Sequence, residues 1–512
     1  MTTQTPRDLR DLGLLAVTFV VAVAGLVYEL IAGAVASYLL GDSITQFSLV
    51  IGLFMTSLGI GAWLSRYVTH ATQGFALSQI LLGIVGGFSA PLLFLAYGAL
   101  GQVQMLLFGV VIVIGALSGL EIPLITRVLQ RRGAMPHVLS NVLTADYAGA
   151  LLAAVAFPLL VVPHLGLMRA SLVFGLLNLA VAGYALWVFR AELGRGLWVL
   201  WLAGLVTCVI GLAGAGRLAK LTDVLFYEDD VILSEQTAHQ QVTVTRYRDR
   251  TRLFLDGAVQ FDSLDEHRYH EALVHPAIAR VPDARRVLVL GGGDGMAVRE
   301  VLRWPNVQEV VLVDLDPRVT QIFRDQPDLS ALNSGALRDP RVRIENMDAW
   351  VFVDQTNDIF DVVIADLPDP KNYAISKLYT REFYVRLVER ISQRGVIVTQ
   401  SGSPVFARDA FWTVVETLRQ TRNPVSPGAG LTVQPYHSYV PSFGDWGFVM
   451  AGFGPMPRPV SFPKELRYLT ADLWPAMVRF GADAGPVTVS ANSIQTHALV
   501  ERYRRGWAAW YE

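Results

Sequence analysis

Cysteine is almost missing: Cys208 is the only one in 512 residues, and it lies within an apolar run. An intrachain disulfide and a cysteine-based zinc site are therefore excluded. Charge is scarce as well. Asp, Glu, Lys and Arg make up 17% of the chain, against about 25% in an ordinary soluble domain. The scarcity is local. Residues 1–216 contain no lysine, 9 arginines, 4 aspartates and 3 glutamates, 16 charges in all, whereas the remaining residues carry 70. Between Tyr67 and Leu120 there is no Asp, Glu, Lys or Arg. These gaps exclude a wholly soluble enzyme, a disordered chain and a small disulfide scaffold. A broad basic field is missing too. The net charge of −2 divides into +2 for residues 1–216 and −4 for the rest, so nucleic acid is not an expected partner.

What the first 216 residues do contain is apolar sequence in lengths that suit a bilayer. A spanning helix needs about 20 mostly apolar residues. Seven candidates meet that rule, at roughly 12–40, 44–65, 75–98, 102–126, 140–162, 168–189 and 197–216. The first is too long for a signal h-region and has no convincing cleavage site, so it reads as a retained span. Gly59, Gly61 and Ala62, and again Gly83, Gly86 and Gly87, suit close helix packing. Trp187, Trp198 and Trp201 stand where an interfacial belt would be. Three acids interrupt the apolar runs: Glu29, Glu121 and Asp146. Acids at membrane depth usually face the bundle interior. They line a polar cavity or cation path, or they fix helix packing as hydrogen-bonded acids; the sequence leaves both open. Pro123, just after Glu121, is expected to interrupt the helix there.

From Arg217 to Asp230 runs a charged junction, followed by the alternating runs QQVTVTRY and RLFLDG, read as strands of a small sheet. From Arg286 the pattern changes. RRVLVLGGGDG, EVVLVDLD, RVRIEN, DVVIAD and GVIVTQ are continuous apolar strands, separated by helices near 296–303, from about 317, at about 349–355 and near 381–392. Such alternation predicts a parallel sheet covered on both faces. Ligands bind such sheets at the carboxyl ends of the strands. Asp294, Asp314, Asp348, Asp366 and Gln400 each follow a strand. GGGDG lets a backbone approach a ligand closely and opens a helix. Asp314, at the end of the second strand, suits the two hydroxyls of a ribose. The loop lacks Walker spacing, which argues against ATP. Acids at 348, 366 and 369 crowd the site for a nicotinamide pyrophosphate. An adenosine with a cationic sulfur fits better. In ADLPDP, residues 365–370, Asp366 and Asp369 suit a polyamine or another cation; alternatively Asp369-Pro370 is a turn and Asp366 a helix cap.

LDGAVQ, DEHRYHEALVH, VLVLGGGDG with RE, VDLD, MDA, ADLPDP, LYTREFY, VTQSGSP, and VPSF with WGF occur in that order. Through them residues 239–448 resemble the polyamine aminopropyltransferase family, spermidine synthase being its usual member. The first 216 residues resemble the membrane-spanning extension of some bacterial members. The fold class implied is a multi-span α-helical membrane domain plus an α/β Rossmann-like domain of the class I methyltransferase type, with a small N-terminal β-sheet subdomain. The boundaries expected are 1–216 for the membrane domain, 217–280 for the junction and β subdomain, 281–455 for the Rossmann-like domain and 456–512 for a C-terminal extension. That extension shows helical periodicity over Thr496–Trp510, with no role that can be read from it.

The resemblance implies transfer of an aminopropyl group from decarboxylated S-adenosylmethionine to putrescine or a related amine, giving spermidine and methylthioadenosine. No cofactor would be permanently bound; the sulfonium compound is a co-substrate. Gln240 and Asp314 would hold the thioadenosine, with Asp314 on the ribose where family members often have Glu. Asp348 and Ala349 would meet the adenine, and Gly291 and Gly293 would form the cofactor loop. Asp294 would lie beside the aminopropyl amine, attracting an ammonium and repelling the carboxylate of intact S-adenosylmethionine. Tyr269, His270, Asp366 and Asp369 would line the acceptor site, with Gln260 and Gln400 as orienting groups. His270 has a second reading, as a hydrogen-bonded core histidine. The attacking amine must be neutral although a free alkyl amine has a pKa of about 10, so a base is needed, and Asp366 is the expected one. No metal is expected, because a sulfonium already leaves as a thioether. Phe443 departs from the family, which commonly has Tyr there.

Two rival readings remain at this level: a class I methyltransferase, which Asp294 and ADLPDP oppose, and a membrane transport or sensing protein whose synthase-like domain only binds polyamine. Partners expected are a small amine, membrane lipid and a second copy of the chain in a homodimer. Sidedness follows from loop charge. Seven spans leave Arg7, Arg10, Arg66, Arg127, Arg131, Arg132, Arg190 and Arg195 on one side, and Arg169, Arg217 and Lys220 on the other. The Arg-rich side is expected in the cytoplasm, which would turn the catalytic domain outward, even though its co-substrate is expected in the cytosol.

Overall fold

Long uncharged runs become long helices. The computed structural model describes residues 9–40, 43–100, 103–131, 138–227, 229–426, 428–456, 458–459 and 461–511. It divides the chain into two units, Met1–Val231 and Ile232–Glu512. In the first, six helical stretches among the described residues are long and apolar enough to cross a membrane: Ala16–Leu39, Thr45–Tyr67, Ala71–Leu100, Gln104–Gln130, Val138–Val188 and Arg195–Thr222. The fifth has 51 residues, far more than one crossing of a hydrocarbon core about 30 Å thick requires. It is broken at Gly166, where φ 66° and ψ 173° leave the helical region. The six stretches therefore hold the seven apolar segments read from the sequence. The first segment is one helix, Leu9–Leu40. The last, Arg195–Phe226, continues through the charged positions that begin at Arg217.

Small residues set how closely these helices approach. A Cβ on Gly83 would lie 2.9 Å from the carbonyl oxygen of Gly175, and one on Gly87 would lie 3.3 Å from the Gly175 Cα, so the two backbones touch. Regular helix is interrupted at Leu120, between Gly119 and Glu121, three residues ahead of Pro123, which removes a donor there. Glu121 turns inward and accepts from Gln79 Nε2 at 2.8 Å. Of the three tryptophans expected at an interface, Trp187 is exposed. Trp201 instead donates to the carbonyl of Leu179 at 2.7 Å inside the bundle, because a tryptophan N–H at that depth needs a partner.

The second unit begins with a four-stranded sheet in the order β1 (Asp230–Gln236), β2 (Gln241–Tyr247), β3 (Arg250–Leu255), β4 (Ala258–Asp262). A helix, Glu266–Ile278, leads to the large sheet. Its strands are β5 (Arg286–Gly291), β6 (Glu309–Asp314), β7 (Val342–Asn346), β8 (Phe360–Asp366), β9 (Ile391–Gln400), β10 (Thr432–Val440) and β11 (Gly444–Gly452). Their spatial order is β10-β11-β9-β8-β5-β6-β7. β7, β6, β5, β8 and β9 run parallel. Alternation splits the buried residues between two cores. Val287, Val289, Val362 and Ile364 pack on one face, and Leu288, Leu290, Val363 and Ala365 on the other. The antiparallel hairpin β10–β11 has no counterpart in the sequence reading. Pro435 and the polar residues of β10 hide it, and β10 is an edge strand, where proline is tolerated.

The strand order reverses between β5 and β8. Chain leaving β5 winds outward through β6 and β7, then returns to β8 beside β5. That reversal opens a crevice at the carboxyl ends, where ligands of such sheets bind.

Candidate active site

Gly291, the last residue of β5, pairs in register with Asp366, the last residue of β8. Gly291 has φ 78°, and a Cβ there would lie 2.1 Å from the backbone oxygen of Asp366. Only glycine fits both demands. Gly293 comes equally close to Asp314: its N–H donates to Asp314 Oδ2 at 3.0 Å, and a Cβ would lie 2.6 Å from that oxygen. The loop thus ties three strand ends together before the helix Met296–Leu302 begins.

The acids take different places around it. Asp314 also accepts from the N–H of Asp316 at 2.9 Å, and burial pushes its carboxyl up to about 6. Asp294 accepts from the N–H of Met296 at 2.8 Å, and burial raises it to about 6 against the pull of His270. Asp366 accepts from the Tyr269 hydroxyl at 2.6 Å, and burial raises it as well, offset in part by His270 and Tyr269. Asp294 and Asp366 each feel the charge of the buried His270. Burial pushes the His270 ring down, but Glu266, Asp294 and Asp366 outweigh it and hold the ring above its ordinary value. His270 Nδ1 lies 2.8 Å from Glu266 Oε2. Glu266 is in turn gripped by Arg299 at 2.8 and 3.0 Å. The acids thus favour the charged form of the ring, and that charge in turn limits repulsion among them.

Gln400 is a junction. Its Nε2 donates to Tyr379 Oη at 2.8 Å and lies 3.4 Å from Asp369 Oδ1, while its Oε1 accepts from the N–H of Gly402 at 3.0 Å. Asp369 Oδ2 accepts from the Tyr503 hydroxyl at 2.6 Å. Phe443 sets its ring edge-on to Tyr269, with centroids 5.9 Å apart. Farther out, Asp348 caps the helix Ala349–Gln355 and its Oδ2 lies 2.6 Å from Lys377 Nζ. Ala349 is buried in the core. Gln240 donates to Asp316 Oδ2 at 3.2 Å, not to Asp314, and Thr237 shares that oxygen at 2.7 Å. Gln260 donates to the carbonyl of Ala258, a local contact at 3.1 Å.

A model of the spermine/spermidine synthase domain matches residues 266–459. Likeness extends over nearly the whole chain. A polyamine aminopropyltransferase of Leptospira interrogans is 42% identical over 492 residues, covering 95% of this chain and 97% of that one. Polyamine aminopropyltransferase 2 of Ralstonia nicotianae is 44% identical over 507 residues, covering 96% and 98%. The chain belongs to the polyamine aminopropyltransferase family. A more distant relative, the polyamine aminopropyltransferase of Mycobacterium tuberculosis, is 38% identical over 521 residues, covering 96% of each chain. Because these alignments run through both units, the helical half is shared with those aminopropyltransferases.

As an aminopropyltransferase, the protein moves an aminopropyl group from decarboxylated S-adenosylmethionine to a diamine. Both reactants are cationic, and the acids above gather at the carboxyl ends of β5, β6 and β8. Sequence reasoning missed two supports of that cluster. Glu266 stands four residues before His270, the spacing of facing helical side chains, and that signal was available. Tyr503 carried none, because 134 residues separate it from Asp369.

Proposed function

We propose that the diamine is putrescine and the product spermidine, with Asp366 as the base, Asp294 on the aminopropyl ammonium and Asp369 on the far end of the acceptor. The observation that carries this reading is the convergence of Asp294, Asp366 and His270 at the β5–β8 reversal, with Asp366 already hydrogen-bonded to Tyr269. The neutral acceptor nitrogen attacks the propyl carbon on the far side from sulfur. A C–N bond forms, the C–S bond breaks, and its electron pair stays on sulfur as neutral methylthioadenosine. The proton lost by the amine passes to Asp366, whose raised affinity for protons suits a base. Asp314 would take the ribose hydroxyls, and Asp348 and Ala349 the adenine, with Gly291 and Gly293 forming the floor of the loop. Gln240 and Gln260 would approach from the small sheet, and Gln400 would orient Asp369. The carboxylate of intact S-adenosylmethionine would meet Asp294 and be repelled, which disfavours methyl transfer.

The test is purified full-length protein incubated with decarboxylated S-adenosylmethionine and diamines of several lengths, with products read by mass spectrometry. Spermidine and methylthioadenosine from putrescine, at the highest rate of the series, are expected. Faster use of a longer amine would overturn the acceptor assignment. S-adenosylhomocysteine formed from S-adenosylmethionine would instead support a methyltransferase.

The catalytic unit is proposed to face outward. Arg127 donates to the carbonyls of Ser65 and Val68 at 2.6 and 3.0 Å, and Thr72 to Glu192 at 3.2 Å. These bonds gather the loops bearing Arg66, Arg127 and Arg190 at one end of the bundle, which supports an Arg-rich cytoplasmic end. With Cys208→Ala and Ser426→Cys, an impermeant thiol reagent should label cells with an intact inner membrane. Labelling only after lysis of that membrane would reverse the orientation.

A further inference from the structure

The C-terminal segment, beyond the residues that match the synthase domain, reaches back to the site. It is locked there by Asn492, which is fully buried. Asn492 accepts from the N–H of Leu499 at 3.2 Å and donates to the carbonyls of Ser376 and Tyr379 at 3.3 and 3.2 Å. Its own N–H donates to Thr417 Oγ1 at 2.8 Å, and its carbonyl accepts from the N–H of Arg381 at 3.0 Å. From that staple starts the helix Ala498–Tyr511. Arg502 pins its outer side by donating to Thr413 Oγ1 at 2.6 Å. Gly506 lets it lie against the loop after β9, because a Cβ there would be 2.6 Å from the Cα of Ala407. One turn before Trp507, Tyr503 points its hydroxyl at Asp369 Oδ2, 2.6 Å away.

We infer that Tyr503 is a positioning residue for the acceptor amine, supplied by the C-terminal helix, and that it acts by fixing the Asp369 carboxylate; this rests on Asp369 binding the acceptor. The chemistry of the donor decides the role. A lysine or arginine on Asp369 would cancel the charge that attracts an ammonium. A phenol donates a proton without cancelling it. Burial and the charge of Asp369 both raise the Tyr503 hydroxyl above its ordinary range, so it stays a donor. Tyr503 holds Oδ2, while Gln400, whose amide hydrogens go to the Leu367 carbonyl and the Tyr379 hydroxyl at 2.5 and 2.8 Å, stands 3.4 Å from Oδ1 and closes off that side. Its remaining lone pairs are then aimed in one direction, which selects acceptors by length.

The test is steady-state kinetics on full-length Tyr503→Phe and Asp369→Asn, with decarboxylated S-adenosylmethionine and putrescine each varied. Losing a hydrogen bond to a charged group should raise the KM for putrescine by about 10–100-fold, while the KM for the sulfonium co-substrate stays unchanged and discrimination among diamine lengths narrows. Replacing Tyr503 by 4-fluorophenylalanine keeps the shape and removes the proton, so it should give the same split. It also serves where Tyr503→Phe folds poorly. If Asp369→Asn raises the amine KM and neither Tyr503 variant does, the inference fails and the Asp369 reading stands. If Asp369→Asn leaves the amine KM unchanged, both fail. Equal loss toward both substrates would mark Tyr503 as packing and overturn the inference.

Discussion

Both units bury carboxyl groups, and they treat them in opposite ways. In the helical unit Glu29 and Glu121 lie deep in the bundle, and Glu121 accepts from a neutral amide, that of Gln79. In the catalytic unit Asp294, Asp314 and Asp366 are met by backbone N–H groups, a tyrosine hydroxyl and the charge of His270. The difference lies in what surrounds the acids. A helix interior has already spent its N–H groups on its own ladder, so an acid there must find a side chain. Strand ends and glycine loops leave N–H groups free, so several acids can gather without losing their place. Only the second arrangement holds acids in a group fit to receive cations.

The largest effect expected from breaking that arrangement is at Asp366. Asp366→Asn should lower kcat by about 10²–10⁴-fold while methylthioadenosine binding by calorimetry is retained. A variant that turns over normally would remove Asp366 from the base role. Next comes pH. Asp294 and Asp314 rise from 3.8 to about 6 on folding. Below about pH 6 they protonate, Asp294 stops attracting an ammonium, and kcat/KM for the co-substrate should fall by up to about tenfold per pH unit. A bound ammonium favours the charged carboxylate, so the corresponding limb in kcat should lie at lower pH. The same shifts set a sign for stability. Between pH 3.8 and about 6 the folded state binds more protons than the unfolded one, so the substrate-free protein loses stability as pH rises through that window. Asp294→Asn should therefore melt at a higher temperature than the parent at neutral pH. A lower melting temperature would mean that the site is not under charge strain.

Smaller effects sharpen the comparison. Phe443→Tyr places a hydroxyl beside Tyr269 and should change relative rates within a diamine series by about 2–10-fold, with co-substrate affinity unaltered. Identical relative rates would reduce Phe443 to packing. In the helical unit, Glu121→Leu leaves the Gln79 amide without its side-chain partner. It should destabilise that unit by about 1–3 kcal/mol and leave turnover per folded molecule unchanged. A matching fall in kcat would show that the acids of the two units act together.

The catalytic sheet was legible because its strands are short apolar runs with an acid or amide directly after each. Val287 to Leu290 and Val362 to Ala365 announce themselves, and Asp366 follows at once. Spans were legible from missing charge, although one break rests on the backbone of Gly166 and not on composition. The β10–β11 hairpin was hidden by Pro435. Pairings between distant residues were hidden altogether: Asp369 with Tyr503, Gln240 with Asp316, and Asp348 with Lys377. Periodicity reports which face a residue occupies, and a hydrogen bond between segments 29, 76 or 134 residues apart leaves no trace in it.

On the function proposed above, buried acids at the strand ends choose a cationic aminopropyl donor by charge. Calorimetry on the full-length protein and its Asp294→Asn variant tests it most directly, using decarboxylated S-adenosylmethionine and methylthioadenosine as paired ligands. The two share the thioadenosine, and only the first carries the propyl ammonium. Asp294→Asn should weaken the first by at least about tenfold, the scale of one lost charge-assisted contact, and leave the second unchanged. Equal weakening of both ligands, or of neither, would contradict it.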